Sequence, residues 1–281
     1  MRTRVHRREC LFSCPVRNAM KSLAPLLLVW LTTLAAGQAT RPSTAPPLAK
    51  KGWTLTFRDE FEGNRLDASH WSDHYWHGRT HANRELEYYA PDGYELKDGL
   101  LRLIARPVLP QDRAKTEGLP YSSGMIEGSG KFAQKYGWFE IRCRIPAGKG
   151  FWPAFWLLPA TRKWPPEIDI MEILGHDPST VYFTTHWLDA QHKHLSDGHR
   201  WKGPDFSADF HTFAVDWEPG TIVWYVDGIE RARTTKGVPD EPMYIIANLA
   251  VGGDWPGKPD DGTVFPGYMD IDYVRVYRRQ Q

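Results

Sequence analysis

The hexapeptide EIDIME carries three carboxylates, those of Glu167, Asp169 and Glu172, in one short segment. In a β-strand, Glu167 and Asp169 project to the same face because side chains alternate with a period of two. Strict alternation sends Glu172 to the opposite face, and a β-bulge at Ile170 or Met171 would return it to the face of the other two. Carboxylates gathered on one face raise one another's pKa values.

The spacing of the two glutamates suggests a particular chemistry. With a bulge between them, their Cα atoms would be roughly 13 Å apart along the strand. Side chains that lean inward would bring the carboxyl groups to about 5 Å, the separation that suits a glycosidase that retains anomeric configuration. Two other interpretations stay open here: an exposed strand edge with three acids, and a divalent-metal site, although the oxygen ligands of such sites usually come from a loop with Gly and Asn.

Aromatic residues flank the hexapeptide in the sequence. Trp152 and Trp156, in GFWPAFWLLP, fall on one face of a strand, and Trp164 stands three residues before Glu167. Rings beside carboxylates are consistent with a cleft in which sugars stack on aromatic faces. Core packing is the alternative explanation for each Trp taken alone.

The elements that would position these groups are β-strands. After residue 40 there is no long apolar period of 3.6 residues, whereas short alternating runs recur between turn residues. One of these runs, 210–233, predicts a hairpin around Glu218-Pro219-Gly220. The others are 99–107, 136–146 and 269–279. Short strands at regular intervals predict one all-β domain, a sandwich of two antiparallel sheets.

Composition and charge exclude several classes of protein. The chain has 281 residues, 41% of them hydrophobic, and 35 Lys plus Arg nearly balance 34 Asp plus Glu, so the formal net charge is +1. A chain this apolar can form a sizeable core, and its balanced charge argues against a nucleic-acid partner. With three cysteines, two of them near the N-terminus, neither a disulfide scaffold nor a four-cysteine zinc module is expected. The third, Cys143, is expected to be buried as a small hydrophobe.

The N-terminus has the composition of an export signal. Basic residues precede the apolar run 23–36, which is too short to span a membrane comfortably and ends in small residues. We predict a signal peptide over 1–39, with Met20 as an alternative initiator, a Pro-rich linker over 40–51 and one folded domain over 52–281. The protein is therefore expected to be secreted or periplasmic, and an uncleaved anchor is the alternative.

Beyond these patterns, five segments in a fixed order resemble glycoside hydrolase family 16, over nearly the whole predicted domain. They are GWFEIRCRIPAGKGFWPAFWLLP, EIDIME, FHTFAVDWEPGTIVWYVDG, NLAVGGDWPG and IDYVRVY. The hexapeptide resembles the bulged E-x-D-x-x-E form of the laminarinase-type branch, whereas lichenase-type and xyloglucan-type members resemble E-x-D-x-E. The resemblance implies a β-jelly roll with a concave substrate cleft, and an endo-acting, retaining mechanism.

The resemblance also implies a role for each acid. Glu167 matches the nucleophile that attacks the anomeric carbon. Glu172 matches the general acid/base, which protonates the leaving oxygen and then deprotonates the incoming water. Asp169 matches a helper carboxylate that tunes and holds Glu167. No cofactor is expected for catalysis.

The resemblance also implies substrate contacts at further positions. Asn83 and Glu85, in NRELEYY, are candidate sugar contacts. His186, in TTHW, resembles the family's histidine on the strand after the catalytic one and is expected to face Glu172, with a satisfied core histidine as the alternative. Trp255, in GGDWPG, is expected at the rim of the cleft. The remaining candidates are the three tryptophans near the hexapeptide, Trp152, Trp156 and Trp164.

A structural Ca²⁺ on the convex side is a further expectation from the family. The matching positions here are Glu60, the backbone carbonyl of Gly99, and Asp272. Hard oxygen ligands drawn from both ends of a domain suit an ion that ties those ends together. A plain surface pair of acids is the alternative.

Three departures from the family pattern concern the cleft rim. Met125 stands where laminarinase-like members usually have Arg after Ser-Gly. The segment between Trp164 and Glu167 is only Pro165-Pro166, shorter than usual. The stretch 188–203 is rich in His and Lys and could favour an anionic galactan, but we interpret it as a solvated loop.

The sequence thus predicts a secreted, monomeric endo-β-glucanase. Its expected partner is a polysaccharide with β-1,3 or mixed β-1,3/1,4 linkages, with no nucleic acid and, after signal cleavage, no membrane. A galactanase of agarase or carrageenase type, a transglycosylase and a non-catalytic glucan-binding protein are the alternatives. Binding-only relatives tend to lack the catalytic acids, and all three acids are present here.

Overall fold

Strands account for almost all regular structure in residues 52–280, the part of the chain that the computed structural model describes. The predicted signal peptide and linker lie outside the described residues. A 3-10 helix covers Pro110–Thr116, and within 52–280 no helix is long and apolar enough to cross a membrane. The strands are β1 (Trp53–Asp59), β2 (Glu87–Tyr89), β3 (Tyr94–Lys97), β4 (Leu100–Pro107), β5 (Tyr121–Ser123), β6 (Met125–Glu127), β7 (Gly137–Arg144), β8 (Phe151–Pro159), β9 (Glu167–Ile173), β10 (Thr180–Leu188), β11 (His194–Lys202), β12 (His211–Glu218), β13 (Thr221–Val226), β14 (Ile229–Thr234), β15 (Met243–Val251) and β16 (Gly267–Arg279).

These strands form two sheets. The ten-stranded sheet has the order β14-β13-β12-β7-β16-β4-β5-β2, with β1 added on β16 and β3 on β4. The six-stranded sheet has the order β11-β10-β9-β8-β15-β6, which places β9 near its middle. All pairs of named strands are antiparallel except β2 with β5. The predicted sandwich of two antiparallel sheets is thereby confirmed.

The main hydrophobic core draws side chains from both sheets, as the alternation in the sequence requires. In β7, Phe139, Ile141 and Cys143 are fully buried in it. Across from them, Phe155 of β8 and Ile168 of β9 point into the same core. Cys143 is a free, buried cysteine, as predicted, and burial raises the pKa of its thiol.

The stretch 188–203 is not a loop, and the sequence-based interpretation was wrong here. Its main part forms β11, which pairs in continuous register with β10 and lies at the edge of the six-stranded sheet. Exposed and half-buried residues alternate along β11, and the half-buried ones include Leu195 and Trp201. Because only one side of the strand is paired and one face is partly covered, polar residues can fill it without the strong apolar alternation that marks an inner strand.

Candidate active site

A β-bulge in β9 determines where the three carboxylates point. Phe155 of β8 lies opposite Met171. The next residue of β8, Trp156, lies opposite Asp169, so Ile170 is left without a partner. The pairing with β10 shifts at the same place. This extra residue is the bulge that the sequence predicted, and it turns the chain so that the acids on both sides of it face one way.

All three acids line a cleft of about 680 Å³ over the six-stranded sheet. The apolar residues between them, Ile168, Ile170 and Met171, are fully buried in the core on the other side of the strand. The hexapeptide therefore divides cleanly into a carboxylate face and a core face. The interpretation of EIDIME as an exposed strand edge is wrong, because β9 lies between β8 and β10.

Glu167 is held from two sides. The indole Nε1 of Trp164 donates a hydrogen bond of 2.7 Å to Glu167 Oε2. The imidazole Nε2 of His186, on the neighbouring strand, lies 3.7 Å from the other carboxylate oxygen. His186 pairs with Glu167 across the strands, so the expectation that it faces Glu172 was wrong. Burial and, next, the charge of Asp169 raise the pKa of Glu167 to about 8, whereas the nearby His186 and the Trp164 hydrogen bond act in the opposite direction.

Asp169 is the most deeply buried of the three acids. Its side chain is 4% exposed, and Oδ2 lies 3.2 Å from His186 Nε2 without the alignment of a hydrogen bond. Burial raises the pKa of Asp169 to about 7. Because Glu167 and Asp169 share this confined space, protonation of one governs the charge of the other.

Glu172 lies on the far side of the bulge and has its own donor. The indole Nε1 of Trp152 donates a hydrogen bond of 3.0 Å to Glu172 Oε1. Burial raises the pKa of Glu172 well above its ordinary value, and the charges of Asp169 and Glu167 add to the effect. A raised pKa favours the protonated form of Glu172, which is the form that a general acid needs.

The ten-stranded sheet supports the bulge through a hydrogen bond across the core. Trp224 of β13 is fully buried, and its Nε1 donates a hydrogen bond of 2.9 Å to the backbone carbonyl of Asp169. A bulge disrupts the regular ladder at the extra residue, so a buried carbonyl beside it needs a donor from elsewhere. Trp224 supplies that donor, although 55 positions separate the two residues.

The predicted substrate-contact residues all line the same cleft. Trp164 and Trp255 are exposed, and the Trp255 ring lies 5.5 Å from the Trp152 ring. Trp156 is different, because it is buried and its Nε1 donates to Asn248 Oδ1 at 2.8 Å. The cleft-lining members of the predicted set are Asn83, Glu85, Trp152, Trp156, Trp164, His186 and Trp255.

The same geometry bears on the metal interpretation of the hexapeptide. Glu167, Asp169 and His186 each offer a ligand atom, and these atoms lie within 4.8 Å of one another. The triad has the ligand atoms to bind a cation as well as the groups that acid/base chemistry needs.

The family model for glycosyl hydrolases family 16 matches residues 51–275 of the chain. This chain belongs to glycosyl hydrolase family 16. The resemblance seen in the sequence is confirmed, and the chain is assigned to a family of O-glycoside hydrolases.

Individual relatives agree with the family 16 assignment. Endo-1,3-1,4-beta-glycanase EglC of Rhizobium meliloti (strain 1021) is 38% identical over 243 residues, which cover 80% of this chain and 51% of that protein. Beta-glucanase of Rhodothermus marinus is 36% identical, with 94% of this chain and 96% of that protein covered. The laminarinase catalytic domain from Thermotoga maritima MSB8 superimposes with a TM-score of 0.73 at 38% identity, over 82% of this chain and 100% of that domain. This family 16 chain thus spans about half the length of EglC.

Sequence reasoning missed several cleft residues. His194, Arg162 and Tyr244 line the cleft but lie in segments with no chemical motif of their own. They reach it because β11, the turn after β8, and β15 surround β9 in the sheet. Met125 is fully buried in a small hydrophobic cluster beneath the cleft, so it supports the floor there.

The residues expected to bind calcium already have cationic partners. Both carboxylate oxygens of Glu60 accept hydrogen bonds of 2.8 Å from the Arg275 guanidinium. Arg142 Nη1 donates to Asp272 Oδ2 at 2.7 Å. Gly99, with a φ of 68°, lies in the turn between β3 and β4. As they stand, these groups do not fit a Ca²⁺ ion, because guanidinium groups supply the positive charge. The calcium site was expected from the resemblance alone, and no step of the chemistry depends on it.

We expect chelation to leave this protein's melting temperature unchanged, since arginines neutralise the two acids. The measurement is thermal unfolding in EDTA, with and without added Ca²⁺. A bound ion at a hundredfold excess over its dissociation constant would add about 2.7 kcal/mol. A melting temperature that falls in EDTA and recovers only with Ca²⁺ would contradict this expectation and indicate a bound Ca²⁺ ion.

Trp224→Phe should lower both stability and activity. It keeps an aromatic ring in the core but leaves the Asp169 carbonyl without its donor, at a cost of about 1–3 kcal/mol in the free energy of unfolding. A less firmly held bulge should also lower kcat, because the positions of Asp169 and Glu172 depend on it.

The matched control is Trp217→Phe. Trp217 is equally buried in the ten-stranded sheet, and its Nε1 donates to the carbonyl of Pro239 at 3.1 Å, with no bond to β9. Unfolding should show a similar loss for both variants, and kcat should fall only for Trp224→Phe. Equal kcat values for the two variants would contradict the positioning role of Trp224.

Proposed function

We propose that this chain is a secreted endo-acting β-glucan hydrolase that cleaves β-1,3 or mixed β-1,3/1,4 linkages with retention of configuration. The observation that carries the proposal is the bulged strand β9, which sets Glu167, Asp169 and Glu172 side by side on a cleft floor. Double displacement at an anomeric carbon requires two carboxyl groups that flank the reacting bond, one as nucleophile and one as acid/base.

In the first step, a Glu167 carboxylate oxygen attacks the anomeric carbon as the bond to the leaving oxygen breaks. Glu172 transfers its proton to that oxygen, and a glycosyl ester of Glu167 forms. In the second step, Glu172, now a carboxylate, takes a proton from water as the water oxygen displaces Glu167. The hydrogen bond from Trp164 stabilises negative charge on Glu167 before attack and after release.

Endo-action is supported by the position of the acids within the cleft. Lining residues lie on both sides of β9, with Asn248 of β15 on one side and Thr184 of β10 on the other. A polymer can therefore lie across the strands with its reacting bond in the middle. The names of the relatives, a glycanase for 1,3-1,4 linkages and a laminarinase domain, support a β-glucan as that polymer.

Export through the predicted signal peptide 1–39 and action as a monomer are proposals that rest on the sequence alone. The cleft lining is rich in Trp, includes Asn83 and Asn248, and has Arg162 as its one arginine among the described residues, a set that suits a neutral glucan better than a sulfated galactan.

Products from laminarin test the substrate. The purified domain should release β-1,3-linked oligosaccharides of several lengths from laminarin, with mixed-linkage glucan as the second substrate. Glu167→Gln should abolish this release without unfolding the protein, and azide should partly rescue Glu167→Ala to give a product of inverted configuration. Glu230→Gln, at an exposed glutamate paired with Arg233, is the control and should keep the full rate. Cleavage of agarose or carrageenan with laminarin left intact would overturn the assignment.

Glu172→Gln should lower the rate on natural glucan by about 10²–10⁴-fold, the range for loss of general acid catalysis. The leaving oxygen of an activated aryl glycoside needs little protonation, so the rate of its glycosylation step should fall far less. Initial rates on both substrate types measure the difference. Equal losses would argue against the acid role.

The pH profile should be bell-shaped, and its limbs have opposite causes. Glu167 must be ionised, so activity falls as pH drops through its raised pKa. Glu172 must be protonated, so activity falls as pH rises through its own pKa. Asp169→Asn removes a charge that raises the pKa of Glu167, so the acidic limb of kcat/KM should move to lower pH. An unmoved or upward-moving limb would contradict the coupling.

A further inference from the structure

Two glutamates beside the cleft, Glu85 and Glu87, lie against each other and take no part in the two displacement steps. Glu85 lines the cleft, and its side chain is 5% exposed. Glu87, the first residue of β2, is 1% exposed and lies outside the cleft lining. Their carboxyl groups are within hydrogen-bonding reach of each other. We call these two residues the Glu85–Glu87 pair.

Each carboxyl group of the pair has one oxygen with a partner and one without. Glu87 Oε2 accepts a hydrogen bond of 2.8 Å from the backbone N–H of Val251. Glu85 Oε1 lies 3.4 Å from His81 Nδ1 and accepts from Asn83 Nδ2 at the same distance. The inner oxygens, Glu85 Oε2 and Glu87 Oε1, are buried and have no donor among the described residues. Since buried polar atoms are almost always paired and an ionised carboxylate can only accept, something has to supply a proton here.

A single proton on Glu87 satisfies both inner oxygens, because the O–H of Glu87 Oε1 then donates to Glu85 Oε2. Burial and, next, the charge of Glu85 raise the pKa of Glu87 well above its ordinary value. His81 indicates where the negative charge lies. Burial alone would lower the pKa of His81, but the hydrogen bond and the charge of Glu85 raise it. The pair therefore carries one negative charge, on the Glu85 side, and one proton, on the Glu87 side.

The other titratable groups around the pair leave this proton in place. Tyr75 and Tyr89 face the pair, and burial raises the pKa of both hydroxyls, so these groups stay neutral. Arg84 forms an ion pair of 2.8 Å with Asp254, and its side chain is 85% exposed to solvent. On the cleft side the pair faces Glu172. Burial is the main cause of the raised pKa of Glu172, and the charge of Glu85 adds to it.

The pair also connects the cleft wall to the rim. The bond from the Val251 N–H attaches Glu87 to the rim segment, which we define as residues 251–255 and which ends at the exposed Trp255. Backbone hydrogen bonds hold the same two segments together on either side of the pair, from Leu86 N–H to the Val251 carbonyl at 2.8 Å and from Asp254 N–H to the Asn83 carbonyl at 3.0 Å. The buried carboxyl groups therefore lie at the centre of the junction between wall and rim.

We propose that Glu87 is a positioning residue that shares one proton with Glu85, and that this proton holds Glu85 and the rim segment in place beside the acid/base Glu172. The shared proton is independent of the proposed function, whereas its effect on turnover rests on that function. Loss of the proton at high pH would leave two negative charges in a buried space, and their repulsion would separate the wall from the rim.

Glu87→Gln imitates the protonated glutamate at every pH. Its amide N–H can donate to Glu85 Oε2, and its amide oxygen can accept from Val251. A glutamate whose pKa is raised by folding stabilises the protein less and less as pH rises from its unfolded pKa, about 4.3, towards its folded pKa. The melting temperature of wild type should therefore fall relative to that of Glu87→Gln as pH rises through this range. A difference that stays constant with pH would overturn the proposal.

Infrared spectroscopy tests the proton directly. The C=O stretch of a protonated carboxyl group is separate from the bands of a carboxylate. In the difference spectrum of wild type minus Glu87→Gln at neutral pH, the contributions of Asp169 and Glu172 cancel. One protonated carboxyl band should remain, and its absence would overturn the shared proton.

Activity on laminarin tests the positioning role. Enzyme incubated at alkaline pH and assayed at its optimum should survive several-fold longer as Glu87→Gln than as wild type, and the return to the optimum removes any reversible ionisation of Glu172. Glu87→Leu, which can neither donate nor accept, should lower kcat/KM about tenfold, the factor that corresponds to 1.4 kcal/mol. Glu87→Gln should recover most of that loss. Full kcat/KM in folded Glu87→Leu would overturn the positioning role, and if Glu87→Leu does not fold, the comparison of Glu87→Gln with wild type decides.

The matched control is Glu95→Gln. The Glu95 side chain, on β3, is 44% exposed and pairs with Arg102 at 3.3 Å. This variant should follow wild type in melting temperature at each pH and in survival at alkaline pH. Active wild type without the pH-dependent difference from Glu87→Gln would overturn the inference and leave the proposed function standing. If folded wild type cuts no β-glucan, the proposed function fails, and the melting and infrared measurements still decide the shared proton.

Discussion

One extra residue in β9 determines the chemistry of the whole cleft. Without Ile170 as an unpaired residue, Glu172 would follow the alternation of the strand into the core. The bulge avoids that outcome locally, since the rest of β9 keeps its register with β8 and β10. The backbone irregularity has to be supported, and the indole N–H of Trp224 supports it from the opposite sheet. The ten-stranded sheet therefore supports the active site as well as covering the hydrophobic core.

The cleft floor combines burial with a small number of well-placed donors. Burial raises the pKa values of all three acids. The two glutamates each receive one indole N–H, from Trp164 and Trp152 respectively. An indole N–H stabilises a carboxylate without adding a full positive charge, so the proton can still move between steps. A close arginine would hold the same carboxylate ionised at every pH of interest. This arrangement costs stability and is typical of a site selected for reactivity.

Local patterns in the sequence were sufficient for the features that depend on a few neighbouring residues. The alternation in 136–146, the carboxylates of EIDIME and the need for a bulge between Asp169 and Glu172 were predicted correctly. Contacts between distant segments were not, because no local pattern shows that Trp224 meets Asp169 or that Val251 donates to Glu87. The arginine partners of Glu60 and Asp272 were missed for the same reason. The error at 188–203 came from composition: an edge strand needs little apolar alternation, so its polar residues resembled those of a loop.

The edge position of β11 has a consequence for how copies of the protein meet. An edge strand presents unpaired backbone N–H and C=O groups, which can recruit a strand from another molecule. Arg200 and Lys202 are exposed on β11 and would face the same charges on an identical strand brought alongside in solution. Their repulsion discourages the six-stranded sheet from growing into a continuous sheet across molecules. The basic character of this segment, first considered as a preference for an anionic polymer, therefore suits an open sheet edge that has to resist pairing with another copy.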